Sequence, residues 1–421
     1  MDTTRTARDI RRRNRSIVLS KLFFDGPLSR LDLSQLTGLS GATVSNVTAE
    51  LVDERLIVEA GQVGSDGGRP RVLLRVDPGY GNVIGVDVGE TGIKVELFDL
   101  AMTRSATVER PLSARPGGAR VARLIAAGVR DAVEQAGIPE ESLLGLGIGV
   151  PGTVEQPPPG ADRGAHVYAP TIGWRAVPLE RMLREQGLTL PLFLDNGAKT
   201  QGQAEMWFGA GRGARHAVIA LVGSGVAAAV VTDGATYRGA SSSAGEWGHT
   251  TIVYGGRPCR CGAHGCLEAY VGAEGIIERY RRIRGTGVAD RGEVAEIEAL
   301  LGAARRSKAA ARLLEEVAGM LGAGIANLIN LFNPERVVLG GWAGLALGGQ
   351  LLPEIRQAAR EHALAHPYEQ ATIELCRLGP DAVAFGAATL PVAALLAGGA
   401  DPRAAQLPET GPPRHLIQLS R

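Results

Sequence analysis

The chain has 421 residues, 45% of them hydrophobic, and a formal net charge of +1. This length is too great for one compact domain, so two or three domains with sizeable cores are expected. The amino terminus carries no apolar signal segment, and no apolar run reaches the roughly 18 residues that a membrane span requires. These features predict a cytoplasmic protein without a membrane partner.

The first 76 residues are predicted to form a winged helix-turn-helix domain. Ser29 and Ser40 stand at helix-cap positions, and Gly38 separates the two short helices that they begin. A glycine-rich tip, Gly61–Gly68, joins two apolar runs in the manner of a β-hairpin wing. The leucines of the second helix are expected to supply apolar contacts: Leu31, Leu33 and Leu36.

Charge and polarity in this domain favour an interface with double-stranded operator DNA. The first 30 residues contain eight Lys or Arg and three Asp, and the third helix has a polar surface. The predicted DNA-binding residues are Thr43, Ser45, Asn46, Arg69 and Arg71. Because paired half-sites require two-fold symmetry, a homodimer or homotetramer is expected. A three-helix interaction module without DNA contacts is the alternative.

From residue 82 onward, predicted strands alternate with predicted helices, which is typical of α/β domains. Several of the apolar strands run directly into glycine turns, as at Gly89, Gly223–Gly225 and Gly340. The chain after residue 397 is rich in proline and is predicted to be poorly ordered.

Three of the four cysteines, Cys259, Cys261 and Cys266, lie within eight residues, and His249 lies just upstream. Soft thiolates at this density predict a tetrahedral zinc site with His249 as the fourth ligand. Four protein ligands leave no open coordination position, so the zinc would be structural. Packed free cysteines or a local disulfide are the alternative. Cys376 is left over and is predicted to lie in a core.

The run from Gly245 to His249, followed by Cys-x-Cys-Gly-x-x-Gly-Cys-x-Glu, resembles the signature of the ROK family of repressors and sugar kinases. The resemblance extends from about residue 14 to about residue 397. It implies zinc bound by His249 and the three cysteines, and sugar hydroxyls bound by Glu246, His249 and Glu268. A buried salt bridge near the zinc is the alternative role for Glu246.

The same resemblance implies the fold. It is an α/β protein with an N-terminal winged helix-turn-helix at 1–76, followed by a two-lobed domain of the actin-like ATPase type. The predicted lobes are 82–195 and 196–397, with the last helix returning to the first lobe, and 398–421 form the poorly ordered tail.

The residues that a sugar kinase needs are altered. ROK kinases have Asn-Asp-Ala-Asn where this chain has Asn196-Gly197-Ala198-Lys199, so Gly197 replaces the catalytic Asp. Asn196 is retained as a ligand-binding residue. Glu90 replaces a glycine of the first phosphate loop, and alanines follow the second. No catalytic residue and no kinase activity are therefore predicted. Lys199 either faces the pocket, where it would suit a sugar phosphate, or lies on an exposed helix face, which is favoured.

Together these features predict a sugar-responsive, DNA-binding transcription regulator, most simply a repressor, that senses a small carbohydrate or sugar phosphate. The alternative is an ATP-dependent sugar kinase with an added DNA-binding domain, which a phosphorylation assay would distinguish. A DNA-binding scaffold that has lost its ligand is a second alternative, which a thermal-shift screen with sugars would test.

Overall fold

The computed structural model describes residues 6–64, 70–113, 115–156, 164–285 and 291–400. Among the helices in these ranges, none combines the length and the apolar character needed to cross a bilayer.

The N-terminal unit is a three-helix bundle with a small antiparallel sheet. Its elements are α1 (Ala7–Asp25), β1 (Leu28–Ser29), α2 (Arg30–Thr37), α3 (Gly41–Asp53), β2 (Ile57–Val63) and β3 (Arg71–Val76). The side chains of Ser29 and Asp32 each accept a backbone N–H from the other residue, which is the capping box that the sequence predicts. The strand β1, which pairs with β3, was not predicted.

The three leucines of α2 that are expected to supply apolar contacts are buried to different extents. Leu33 is fully buried, whereas Leu31 is 50% exposed and Leu36 is 45% exposed. A helix of two turns buries only a narrow stripe, and Leu33 fills it.

The next segment contains a mixed five-stranded sheet of order β11-β7-β4-β5-β6 and a smaller sheet of β8, β9 and β10. Its elements are β4 (Asn82–Val88), β5 (Gly92–Asp99), β6 (Arg104–Pro111), α4 (Gly118–Ala136), β7 (Leu143–Val150), β8 (Thr153–Glu155), β9 (His166–Ala169), β10 (Trp174–Val177), α5 (Leu179–Glu185), β11 (Leu192–Asn196) and α6 (Gly197–Phe208). The small sheet and β6 were not predicted.

The remaining segment repeats this plan, with a sheet of order β14-β13-β12-β15-β16. Its elements are β12 (Ala217–Val222), β13 (Val226–Thr232), β14 (Ala235–Thr236), α7 (Glu268–Val271), α8 (Ala273–Arg284), α9 (Glu293–Ala303), α10 (Lys308–Phe332), β15 (Arg336–Gly340), α11 (Trp342–His362), α12 (Ala365–Gln370), β16 (Thr372–Leu375) and α13 (Ala382–Gly398). In both sheets an antiparallel hairpin continues into two parallel strands, so the β4–β5 and β12–β13 turns are equivalent.

The last helix, α13, packs against β4 and β7 of the first sheet at very short range. An ideal Cβ on Gly85 would lie 1.9 Å from the Ala384 carbonyl oxygen, and one on Gly147 would lie 1.7 Å from that of Ala387. Only glycine permits this approach. The helix continues to Gly398, where the tail is predicted to begin, and the structure also describes residues 399 and 400; the rest of the predicted tail, 401–421, lies outside the described residues.

An aromatic cluster joins the N-terminal unit to the rest of the molecule. Phe24 of α1 packs edge-on against Trp207 of α6 with ring centroids 4.9 Å apart. Phe208 of α6 also packs edge-on against Phe385 of α13, with ring centroids 5.4 Å apart. The Arg15 guanidinium adds a 2.8 Å hydrogen bond to the Gly399 carbonyl. The helix α1 is therefore held by both α6 and α13.

Replacing Gly147 with Ala should destabilise the protein, because the new methyl group would collide with backbone rather than with a movable side chain. Overpacking a core usually lowers the free energy of unfolding by about 1–3 kcal/mol, and we expect a loss near the upper end of this range for Gly147→Ala. The midpoint of urea unfolding should fall accordingly. In Gly319→Ala, within α10, the added Cβ meets nothing within 4 Å. That control should be neutral or about 0.5–1 kcal/mol more stable, and equal behaviour of the two variants would contradict the packing described.

Candidate binding cleft and metal centre

A deep cleft of about 2610 Å³ separates the two repeated segments, which we call lobe 1 (β4 to β11) and lobe 2 (β12 to β16). The β4–β5 turn of lobe 1 and the β12–β13 turn of lobe 2 face each other at one end. All four ligand-binding residues that the sequence predicts line this cleft: Asn196, Glu246, His249 and Glu268.

The four predicted metal ligands converge on one point. The ligand atoms of His249, Cys259, Cys261 and Cys266 all lie within 4.8 Å of one another. The two Sγ atoms of Cys261 and Cys266 are 3.8 Å apart, and His249 Nδ1 is 3.6 Å from Cys259 Sγ. A tetrahedral Zn²⁺ with Zn–S near 2.3 Å and Zn–N near 2.0–2.1 Å implies separations of roughly 3.8 and 3.6 Å. The donors and their spacing fit zinc, and no disulfide joins these cysteines.

The loop that bears these ligands requires glycine. Gly265 has a φ of +77°, and an ideal Cβ there would lie 1.7 Å from the Val253 carbonyl oxygen. Its N–H donates to the Arg257 carbonyl at 2.7 Å, which turns the chain between Cys261 and Cys266. Cys376 is buried well away from this group, and its Sγ donates to Glu205 at 2.9 Å.

Asn196 fixes the start of α6 at the floor of the cleft. Its Oδ1 accepts the N–H groups of Ala198 and Lys199, at 2.9 and 3.2 Å. Its Nδ2 donates to the Gly152 carbonyl at 2.7 Å. The amide therefore caps the helix and ties it to the turn between β7 and β8, while still lining the cleft.

The residue next to Gly197 does not supply the missing carboxylate to the cleft. The neighbouring Asp195 is 3% exposed and forms a two-pronged ion pair with Arg238, at 2.6 and 3.0 Å. It does not line the cleft.

The interpretation of Lys199 as a residue on an exposed helix face is wrong, because α6 is buried along nearly its whole length. Lys199 is 3% exposed, and its Nζ donates to the Ser242 carbonyl at 2.7 Å. Burial lowers the pKa of this amine, which the charge of Asp195 partly opposes. Lys199 does not line the cleft either.

The two glutamates of the cleft differ in their surroundings. The side chain of Glu246 is half-buried and has no hydrogen-bond or ion-pair partner among the described residues, so the alternative of a buried salt bridge is not met there. Glu268 is 5% exposed, and its Oε2 accepts the Val226 N–H at 2.9 Å. Its Oε1 lies 3.3 Å from Nη2 of Arg260.

Sequence reasoning missed Arg260, the residue between the first two cysteine ligands. Its guanidinium crosses the cleft and forms a two-pronged ion pair with Glu90 in the β4–β5 turn. The only signal in the sequence is a basic residue at the variable position of Cys-x-Cys, opposite an acidic residue in the first glycine turn.

Four of the five predicted DNA-binding residues lie among the described residues of the N-terminal unit. Ser45 and Asn46 are exposed on α3, and Thr43 is half-buried with its Oγ1 2.9 Å from Ser40 Oγ. Arg71 begins β3, and its Nη1 is 3.5 Å from Asp32. Arg69 lies outside the described residues.

One carboxyl group of the cleft should give the protein a measurable pH dependence. Burial raises the pKa of Asp87 to about 7, although the nearby Lys94 ammonium opposes the shift. In the unfolded chain the pKa of an aspartate side chain is near 3.9. Between pH 4 and pH 7 the carboxyl of Asp87 is therefore protonated in the folded state and ionised in the unfolded state. The free energy of unfolding should accordingly fall as the pH rises from 4 to 8. Asp87→Asn should flatten this slope in unfolding experiments at several pH values. An unchanged slope would show that Asp87 is ionised in the folded state.

Comparisons with known proteins identify relatives of this chain. The ROK family profile matches residues 83–393. The xylose repressor of Caldicellulosiruptor bescii is 31% identical over 390 residues, which cover 91% of this chain and 96% of the repressor. The glucokinase of Halalkalibacterium halodurans is 35% identical over 316 residues, which cover 72% of this chain and 92% of that enzyme.

Among solved structures, a ROK family transcriptional regulator homologous to the Escherichia coli MLC protein superposes with a TM-score of 0.75. At 24% identity, the match covers 93% of this chain and 98% of that one. The two-lobed part therefore has the fold of actin-like ATPases, and the match extends to the N-terminal unit because it covers nearly the whole chain.

Proposed function

The chain belongs to the ROK family, and on that premise we propose that it is a sugar-responsive, DNA-binding transcription regulator that acts as a repressor. One observation carries the proposal. A helix-turn-helix unit with an exposed polar helix is joined to a sugar-kinase-like cleft in which Gly197 stands at the position of the catalytic base. The first feature suits DNA, and the second suits binding of a sugar without its chemical conversion.

Phosphoryl transfer is disfavoured at both ends of the cleft. At the sugar end, Gly197 offers no group to accept a proton, and Asp195 is engaged by Arg238. At the end with the glycine turns, Glu90 and Arg260 occupy the space in which backbone amides would cradle phosphates. We therefore propose that the cleft acts as a sensor and not as an enzyme.

The effector that best fits this cleft is an uncharged sugar. Glu246 is available to accept hydroxyl donors, and Glu268 lines the same cleft. The argument for a sugar phosphate depended on Lys199, which does not line the cleft. A phosphate near the glycine turns would meet the carboxylates of Glu90, Glu268, Glu274 and Glu293, and the guanidinium of Arg260, which also lies there, is already engaged by the first three.

We also propose that one structural zinc ion is bound by His249, Cys259, Cys261 and Cys266. The ion would hold the loop whose far end bears Glu268, and would thereby keep the sugar-binding carboxylate in place. With four protein donors it would have no open position for water, so its role would be architectural.

Cys261→Ser should remove the metal and loosen the loop 250–268. Elemental analysis of protein purified without chelator should give about one zinc per wild-type chain and a clear loss in the variant, and hydrogen exchange in the loop should increase. Cys376→Ser changes the cysteine outside this group and should retain the zinc. Wild-type protein without zinc would contradict the proposal.

DNA binding is proposed to occur through α3 and the wing. An amide on the exposed face of α3 can form hydrogen bonds to a base edge in the major groove. Asn46→Ala should therefore reduce the difference in binding free energy between the preferred base and the others, by about 1–3 kcal/mol per base contact. Arg71→Ala should weaken binding to all sequences and reduce the salt dependence. The exposed Arg306, far away in lobe 2, provides a control, and Arg306→Ala should bind normally.

The assay uses full-length protein and duplexes selected from random DNA by the wild type. If Asn46→Ala and Arg71→Ala bind these duplexes with unchanged affinity and specificity, the assignment of the DNA interface is wrong.

A further inference from the structure

An ion pair crosses the cleft from the β4–β5 turn of lobe 1 to the metal-ligand loop of lobe 2. Glu90 belongs to the β4–β5 turn of lobe 1, and Arg260 belongs to the metal-ligand loop of lobe 2. Arg260 Nη1 is 2.5 Å from Glu90 Oε2, and Nη2 is 3.1 Å from Oε1. The two side chains are only 24% and 18% exposed. A two-pronged, largely shielded pair of this kind is stronger than an ordinary surface salt bridge.

Arg260 is held firmly on its own lobe. Its guanidinium donates to the Ser224 carbonyl at 3.2 Å and contacts Glu268 at 3.3 Å and Glu274 at 3.1 Å. Its backbone lies between two residues of the metal-ligand group. The Arg260 guanidinium is therefore held in place by lobe 2 and projects toward lobe 1, where it contacts Glu90.

The pair lies directly over the second glycine turn. An ideal Cβ on Gly225 would be 3.5 Å from Glu90 Oε1 and 3.7 Å from Arg260 Nη2. Glycine turns of this kind can present bare backbone amides to an anion. Here the protein's own carboxylate and guanidinium fill that place and join the lobes at the same point.

We propose that Glu90 and Arg260 form a clasp that holds the two lobes together in place of a bound nucleotide. The clasp sets the angle of the cleft in the absence of any ligand. Because Arg260 also contacts Glu268, a sugar bound at Glu268 and the clasp share one guanidinium, and this gives the effector a direct way to alter the lobe angle. Only this last step rests on the proposed function. The clasp itself does not.

The test is a distance measurement between the lobes of the full-length protein. Spin labels on non-canonical amino acids at positions 134 and 315 avoid the cysteines, and both positions are exposed, one on α4 and one on α10. Labelled chain is diluted with unlabelled chain so that an oligomer carries one labelled copy. Pulsed electron double resonance should give a narrow distance distribution for the wild type and a longer, broader one for Glu90→Gln.

Glu274→Gln is the matched control, since it removes another carboxylate contact of Arg260 that lies within lobe 2. It should leave the distribution unchanged. Both glutamine substitutions preserve side-chain size, and melting curves verify that the variants fold. An unchanged distribution in Glu90→Gln would overturn the clasp, as would equal shifts in both variants. Because neither DNA nor sugar is present, a failure here is distinct from a failure of the proposed function.

Discussion

One buried carboxylate, Glu205, fixes the arrangement on which the rest of the structure depends. It is fully buried near the end of α6 and accepts four hydrogen bonds. One comes from the Ala210 N–H at 2.6 Å, and the others come from Cys376 Sγ, Arg377 N–H and Leu378 N–H, at 2.9 to 3.2 Å. A buried carboxylate needs hydrogen-bond donors around it, and these four hold the segments that supply them in a defined arrangement. Glu205 thereby joins the end of α6 to the segment that leads into α13.

This arrangement gives the cleft a mechanical connection to the helix-turn-helix unit. The helix α6 is capped by Asn196 at the floor of the cleft, and its last residues, Trp207 and Phe208, pack against α1. The helix α13 supports it from the lobe-1 sheet. Because packed helices move as units, a change of angle between the lobes would shift the surface on which α1 rests. The metal-ligand group and Arg260 of the ion pair lie on the lobe-2 side of the same cleft.

The sequence allowed local features to be predicted well and long-range contacts poorly. Caps such as Ser29 and strands that end in glycine turns depend on neighbouring residues, and these predictions agree with the structure. The four predicted metal ligands are also close in sequence, and the structure brings their ligand atoms together. The contact between Glu90 and Arg260 joins residues 170 positions apart and depends on how two lobes meet. The burial of Lys199 and the exposure of Leu31 likewise depend on which helix faces are covered, and periodicity in a short segment does not determine this.

The central claim is that a sugar in the cleft changes affinity for DNA. D-xylose, D-glucose and N-acetylglucosamine are first screened for a sugar that raises the melting temperature of the protein. The most direct test is then to titrate a selected operator duplex with full-length protein in the presence and in the absence of that sugar. The account predicts a change in operator affinity of about fivefold or more, and its loss in Glu246→Gln with the unliganded affinity preserved. A sugar that binds the wild-type cleft and leaves operator affinity unchanged would contradict the account.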